Sequence, residues 1–499
     1  MATNTTAPAA AAGASITTHQ VVIVGGGITG LTLAVMLQQL GVDYVLLEAY
    51  SSVTPQLGAS LGLFPNGLRI LDQLGLLPAV EAAAVNTANC TWRDSGRRGK
   101  RIMARDVGSV VAARHGYAPC FLSRHQLVCI LEGAVRDKKR LLVNAKVSRI
   151  DDADNEGCAR VYTTDGRVFE AQVVVGADGV RSLVRTEMWR HAEERETQAA
   201  TASQPHEITT KSSSWTIPAS DKAPVPCEHA CLFGTSRPKA GIAPGDTIAA
   251  CGDRAAAGLM GAACGDVMFF WFWTLPPSNN SCPITDIPRV TPEQEAHERE
   301  RCRDVIVTDG GVTMGQILDD VYGTLGATVL PNFVLDRWSS GGRVVVIGDA
   351  AHKFNPLVGQ GGNSCIESCA ALVNQLQAHW ALESLTTAFA ALEAERVPRV
   401  RSMVDQCQDA MHKTAWESWK PRVLQRYIAP LLPVSILADF HKPMLTPSLR
   451  LKGAEFAEPS VREHSVPWDD EKADMPKLQD VREKGTVVVA SAPVAAAAA

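Results

Sequence analysis

Apolar residues in this chain fall into short unbroken runs, several of which stop at a glycine turn. Val21-Val22-Ile23-Val24 runs into Gly25-Gly26-Gly27-Ile28-Thr29-Gly30, and Val173-Val174-Val175 into Gly176-Ala177-Asp178-Gly179. Val344-Val345-Val346-Ile347 runs into Gly348-Asp349, with Pro356, Gly359, Gly361 and Gly362 close behind. Runs of this length, bounded by turn residues, suit strands buried on both faces of a parallel sheet. Elsewhere the period is helical: Leu31, Val35, Leu37 and Leu40; Leu68, Ile70, Leu71 and Leu74; Ile366, Ala370, Val373 and Leu376. Ser123 reads as the N-cap of a further helix carrying Leu127, Ile130, Leu131 and Val135. Two strands meeting at Asp165-Gly166 form a hairpin. Strand, glycine turn, helix and strand in succession predict an α/β fold with a Rossmann-like domain.

A second group of strands lies downstream, at Ala230 to Gly234 and Val267 to Thr274. The latter holds Phe269-Phe270-Trp271-Phe272-Trp273, so one face would line a cavity and the other meet a helix layer. A continuous apolar run does not say which. Near the C-terminus, Tyr427 to Phe440 is apolar but carries Pro430 and Pro433 and is too short to span a bilayer. It is expected either to be buried or to make shallow membrane contact through 427–440. Met1 to Gln20 has no periodicity and is expected to be disordered, and Thr197 to Pro226 to be a mobile insertion.

Composition narrows the functions without choosing one. The 499 residues carry a formal net charge of −5 and no basic block, which argues against a nucleic-acid partner. Arg97, Arg98, Lys100 and Arg101 read as a solvated loop. Thirteen scattered cysteines and no apolar signal core suggest an intracellular, reduced protein, cytoplasmic or peripherally membrane-associated. Cys227 and Cys231, and Cys365 and Cys369, share helical i,i+4 spacing, but neither pair has a second pair nearby, and no metal site is expected.

The first glycine turn has the chemistry of a dinucleotide site. Gly25 can adopt the φ of a tight turn, Gly27 lets the backbone approach a pyrophosphate, and Gly30 allows helix and strand to pack closely. The helix N-terminus offers free N–H groups to the phosphates. Glu48 ends the following strand and would accept from the ribose hydroxyls while repelling a 2′-phosphate, which suits FAD or NAD. Gly62 lies in a glycine-rich stretch, Gln56 to Gly67, that either presses its backbone on a flat ligand or is a plain connection. Arg124 stands in the first turn of a helix, where a cation gains nothing from the dipole, so it meets an anionic partner or a surface carboxylate. Asp349 would accept from a sugar-alcohol hydroxyl, and the glycines at 359, 361 and 362 would bring backbone N–H groups to an electron-rich ring.

These motifs in this order, Gly25 to Gly30, Arg124, Asp178-Gly179 and Gly348-Asp349 with its Pro and Gly loop, resemble the single-component FAD-dependent monooxygenases of the para-hydroxybenzoate hydroxylase type, over roughly Val21 to Val400. Pro55 to Gly62 followed by Pro65 to Leu74 is similar to the fungal epoxidases of indole-diterpene, meroterpenoid and polyene biosynthesis, the paxilline type. The resemblance implies bound FAD, NADPH as co-substrate, and oxygen transfer from a flavin C4a-hydroperoxide to a hydrophobic small molecule. It also implies roles: Glu48 on the adenosine ribose, Gly62 and Arg124 on FAD, Asp178-Gly179 near the pyrophosphate and the NADPH path, Asp349 on the ribityl chain, and Gly362 at the ring edge. Pro356, Gly359 and Gly361 belong to the same loop. The expected domains are a disordered 1–19; an FAD domain of 20–90, 120–188 and 330–400; a discontinuous β-sheet substrate domain of 91–119 and 189–329; a helical 401–460; and a polar, Ala-rich tail, 461–499. No acid–base group stands out between Cys231 and Thr274, and His352 reads as structural. Epoxidation of an alkene is therefore expected, with hydroxylation of a phenol as the alternative.

Overall fold

The strand Ile16–Val24 occupies the interior of a seven-stranded sheet because its last four residues are apolar and buried on both faces. The order is Leu141–Leu142, Tyr44–Leu47, Ile16–Val24, Val168–Gly176, Ala159–Thr163 and Val147–Asp152. Val344–Val346 pairs with the second half of Val168–Gly176, whose first half pairs with Ala159–Thr163. Pairing is parallel through the first four strands and Val344–Val346, and antiparallel in the hairpin. Helices Ile28–Gln39 and Gly361–Ala378 pack against each other, and Arg124–Ala134 packs on the first of them.

The computed structural model describes residues 16–56, 60–152, 157–201, 216–340, 342–379, 385–460 and 462–474. The expected disorder of the first fifteen residues, Leu57, Gly58 and Ala59 of the glycine-rich stretch, residues 202–215 of the 197–226 insertion and the tail from 475 lie outside the described residues. The described ends of that insertion are ordered rather than mobile: helix Leu183–Thr201 runs into it, and Ala219–Lys222 and Val225–Pro226 are a short helix and a strand paired with Ser281–Cys282. Disorder was expected as far as Gln20, but Ile16 to Gln20 are already strand. Ile16 to His19 have Cα partners from Val168 to Ala171, and that backbone pairing holds a segment whose side chains stay largely exposed.

The second sheet also has seven strands, in the order Val321–Leu330, His229–Ser236, Val267–Thr274, Ala255–Gly261, Thr247–Gly252, Cys90–Asp94 and Lys100–Arg105. The aromatic run lies in its interior because the neighbouring strand is made of small residues: Ala255, Ala256, Ala257 and Gly258 stand opposite Trp273, Phe272, Trp271 and Phe270. Phe270 and Phe272 line the large cavity and stack at 5.5 Å, while Trp271 turns away and donates from Nε1 to Glu298 at 2.9 Å on helix Pro292–Arg301. Cys227 and Cys231 do not share a helix. Cys231 sits in strand His229–Ser236, and Cys227 meets Cys282 at 2.7 Å.

Two features tie the C-terminal helices to the cofactor side. Glu367, fully buried on the Gly361–Ala378 helix, receives Arg396 and Arg399 from helix Leu385–Thr414 and the Asn66 side chain at 2.8 Å. Burial would raise its carboxyl, but Arg399 and Arg396 outweigh that and hold it at about 2. The same long helix runs without a break past residue 400, where a domain boundary was expected. Beyond it, short helices such as Trp419–Val423, Val434–Asp439 and Lys442–Leu445 form a roof over the space between the sheets. Among the described residues no helix is long and apolar enough to cross a membrane.

Candidate functional site

A cavity of about 900 Å³ opens between the two sheets. Its floor is backbone. Gly25 holds φ +106°, and a Cβ there would lie 2.5 Å from the Ala177 carbonyl oxygen. A Cβ at Gly30 would lie 1.9 Å from the Gly25 oxygen, so this glycine is required by packing alone. Gly27 differs: its Cβ would meet only the Arg124 guanidinium, at 3.7 Å. It is the N-cap of helix Ile28–Gln39 and has no side chain to cap it, so the first N–H groups face the cavity.

The predicted residues divide by place. Gly27, Gly62, Arg124, Asp349, Pro356, Gly359, Gly361 and Gly362 line the cavity, whereas Gly25, Gly30, Glu48 and Asp178 stand behind or beyond its wall. Glu48 accepts from Gly26 N–H at 2.6 Å and Tyr50 N–H at 2.9 Å, so it shapes the turn as well as ending the strand. Asp178 accepts from the Ser182 hydroxyl at 2.5 Å and Val184 N–H at 3.1 Å, and burial raises its carboxyl. Its carboxylate caps the next helix. The cavity is faced by Gly179 instead, at φ +79° with nothing near a would-be Cβ.

Arg124 has no ion pair or hydrogen bond among the described residues, and it stands beside Gly27. The Ser123 capping box with Gln126 fixes the helix start, which leaves the guanidinium aimed at the turn rather than used for capping. Asp349 is paired with Lys353, which also lines the cavity. The spacing i,i+4 could have revealed that pair, but the backbone here turns from a short 3-10 helix into a strand, so helical reasoning had no hold on it. Asn363 is the other residue whose role the sequence concealed. Its side chain donates to the Gly62 and Gly359 carbonyls at 2.9 and 2.8 Å and accepts from Phe64 N–H at 3.0 Å, tying the two glycine segments together.

His352 is not a base at the site. It is buried, bonded to the Ser368 hydroxyl at 2.9 Å, and pushed down to about 3, chiefly by burial. A different imidazole reaches the cavity: His441, from the roof, stacks on Phe64 at 5.7 Å, and burial pushes it down to about 4. Its Nδ1 is buried without a partner among the described residues. His229, His412 and Glu417 bring together ligand-type atoms, but these already bond one another: Glu417 accepts from His229 at 2.7 Å and from His412 at 2.6 Å.

The floor fits FAD on three observations: a turn with no Cβ at Gly27, an unpaired guanidinium beside it, and a long helix whose first residue, Gly361, would place a Cβ in open space. Anions belong at such helix starts. A model of the FAD binding domain matches residues 18–239 and 288–407. The FAD-dependent monooxygenase cle3 of Aspergillus versicolor is 32% identical over 441 residues, covering 86% of this chain and 83% of the relative. The FAD-dependent monooxygenase dpchE of Colletotrichum higginsianum is 36% identical over 361 residues, 72% and 71% of the two chains. Among solved structures, Klebsiella pneumoniae HpxO with FAD and uric acid superimposes with a TM-score of 0.67 at 20% identity, over 86% of this chain and 96% of that one. The p-nitrophenol 4-monooxygenase PnpA of Pseudomonas putida gives 0.65 at 21%, over 86% and 99%, a likeness of fold. By its match to the FAD binding domain and its identity with these relatives, the chain belongs to the FAD-binding family of flavin-dependent monooxygenases.

Proposed function

We propose that this monooxygenase uses NADPH and O2 to epoxidise an alkene of a prenylated (meroterpenoid or indole-diterpene) or polyene secondary metabolite. The observation that carries the reading is the wall facing the glycine floor, built from Phe233, Met260, Phe270, Phe272, Leu330 and Leu437. Such a wall gives a substrate burial and contact but no charge. Bound FAD would supply the redox chemistry, taking electrons from NADPH and activating O2. The protein's residues do the rest. Arg124 and the start of helix Ile28–Gln39 would hold the phosphates, Asp349 the ribityl hydroxyls, and Gly361 and Gly362 the ring edge. Leu432 and Leu437 in the roof line the cavity and would help keep water from the reacting centre. An alkene has no proton to remove, and beyond the floor the one carboxylate among the described lining residues, Asp409, is paired with Lys413.

Hydroxylation of a phenol has one observation in its favour. His441 is a neutral imidazole in the cavity and could accept a phenolic hydrogen bond. The two readings separate in the anaerobic rate at which NADPH bleaches the bound flavin. Acceleration by a prenylated aromatic terpenoid alone supports epoxidation and directs product analysis to its alkenes. Acceleration by a simple phenol alone makes the hydroxylase the better reading.

A further inference from the structure

Of the eleven large apolar side chains exposed among the described residues, eight lie between Trp419 and Phe440: Trp419, Val423, Leu424, Tyr427, Ile428, Leu431, Ile436 and Phe440. Leu431 is 81% exposed, Trp419 70% and Phe440 63%. A patch of this kind on a folded chain marks a surface that meets something. Its surroundings say what.

The segment is held by the hairpin of Cys90–Asp94 and Lys100–Arg105, which bears the basic cluster. Arg97 donates to the Tyr427 hydroxyl at 3.1 Å, Arg105 to the Pro430 carbonyl at 3.0 Å, and Arg426 pairs with Asp94. Arg98 and Lys100 on the hairpin and Lys420, Arg422 and Lys442 on the segment are exposed. Of the acids here, Asp94, Asp309 and Asp439 are each held by an arginine, and Asp106 caps helix Val107–His115. Apolar side chains ringed by cations, on elements too short to span a bilayer, match the anionic surface of a membrane. Another protein partner with a basic rim of its own would be repelled.

The same segment is the roof of the cavity. Leu424 and Phe440 are exposed outside and also line the space within, and Leu432, Leu437 and His441 line it between them. We propose that residues 419–442, together with the 97–101 hairpin, form a face that docks on an anionic bilayer and places the mouth of the cavity against the lipid. That the docked face also admits substrate from the bilayer rests on the apolar-substrate reading above. Docking itself does not, and the test measures docking alone.

The test is flotation of the full-length FAD-loaded protein with phosphatidylcholine vesicles, with and without about a third phosphatidylserine, at about 0.1 M salt. The protein floats with the anionic vesicles, and raising the salt weakens its binding. Ile428→Asp with Leu431→Asp, neither of which lines the cavity, lowers binding at least tenfold with flavin content unchanged. Arg98→Glu with Lys100→Glu does the same for anionic vesicles only. Protein that stays in the soluble fraction with both vesicle types overturns the proposal, as does binding that neither variant reduces. A concentration-dependent dimer that Leu431→Asp dissolves assigns the face to a second copy and overturns it too.

Discussion

The two walls of the cavity are held in opposite ways. On the cofactor side the wall is main chain, and its position is fixed by contacts in which one added carbon would overlap an oxygen, as at Gly25 and Gly30. On the substrate side the wall is side chains, Phe270 and Phe272 above all, seated on a strand of alanine and glycine that leaves room around them. The first wall can vary little without losing the fold. The second can change shape residue by residue while the sheet persists, which is how one scaffold serves many substrates.

The sharpest way to break this contrast is Gly30→Ala. A methyl group 1.9 Å from the Gly25 carbonyl should cost more than about 3 kcal/mol and leave little folded protein, measured as soluble yield and melting temperature. Gly361→Ala, whose Cβ meets nothing within 4 Å, should melt no lower than the parent and lose only FAD affinity. If both variants melt alike, the distinction between packing glycines and ligand-facing glycines fails.

Asp349→Ala comes next in size. A charged acceptor for a buried hydroxyl contributes about 1.5–3 kcal/mol, so FAD affinity should fall roughly 30-fold, while the apo protein, whose Lys353 loses its partner, should stay folded and melt only a few degrees lower. Normal flavin content in that variant would place the ribityl contact elsewhere. Phe272→Leu should be milder. It should cost about 1 kcal/mol of stability, keep FAD, and alter which ligands accelerate flavin reduction, as read by a panel of apolar alkenes.

The smallest effect concerns how the roof is tied to the substrate sheet. Burial would raise the Glu417 carboxyl, but hydrogen bonds from His229, His412 and Thr274 hold it below the usual range. The Glu417 bond in turn raises His412 above its ordinary 6.5, and Glu228 adds to this. The depressed carboxyl stabilises the fold above about 4.5, and that contribution is lost as pH falls. The raised imidazole stabilises it below about 6.5, and that contribution is lost as pH rises through the raised value. Melting temperature should therefore be higher by a few degrees between those limits than on either side. Glu417→Gln should flatten the profile, and an unchanged profile would show that the clamp does not hold the roof.

The cofactor wall was legible in the sequence because main-chain geometry restricts residue type. Gly25, Gly27 and Gly30 can be assigned from spacing, and the helix starts follow from Ser123 and the apolar period. Asp178 shows the limit of that logic, since an Asp-Gly at a strand end looks the same whether it meets a ligand or caps a helix. The substrate wall was legible only as strands, because an unbroken aromatic run carries no facing information. The roof was not legible as part of the site. Leu437, on a short helix, and His441, at the cap of the next, reach the cavity about ninety residues beyond Asp349, and elements of six residues or fewer carry too little period to be placed.

The divided edge of strand Val168–Gly176 has a consequence for synthesis. Its first half is paired as soon as the hairpin forms, but its second half waits for Val344–Val346, which emerges about 170 residues later. At ordinary translation rates that is roughly 10–30 s during which Val174, Val175 and Gly176 have no partner on that side. The floor that Asp349 and the Gly361 helix complete cannot exist in that interval. A ribosome that stalls before residue 346 thus leaves an open β-edge without flavin, and such a nascent chain should depend on chaperones more than the finished enzyme does.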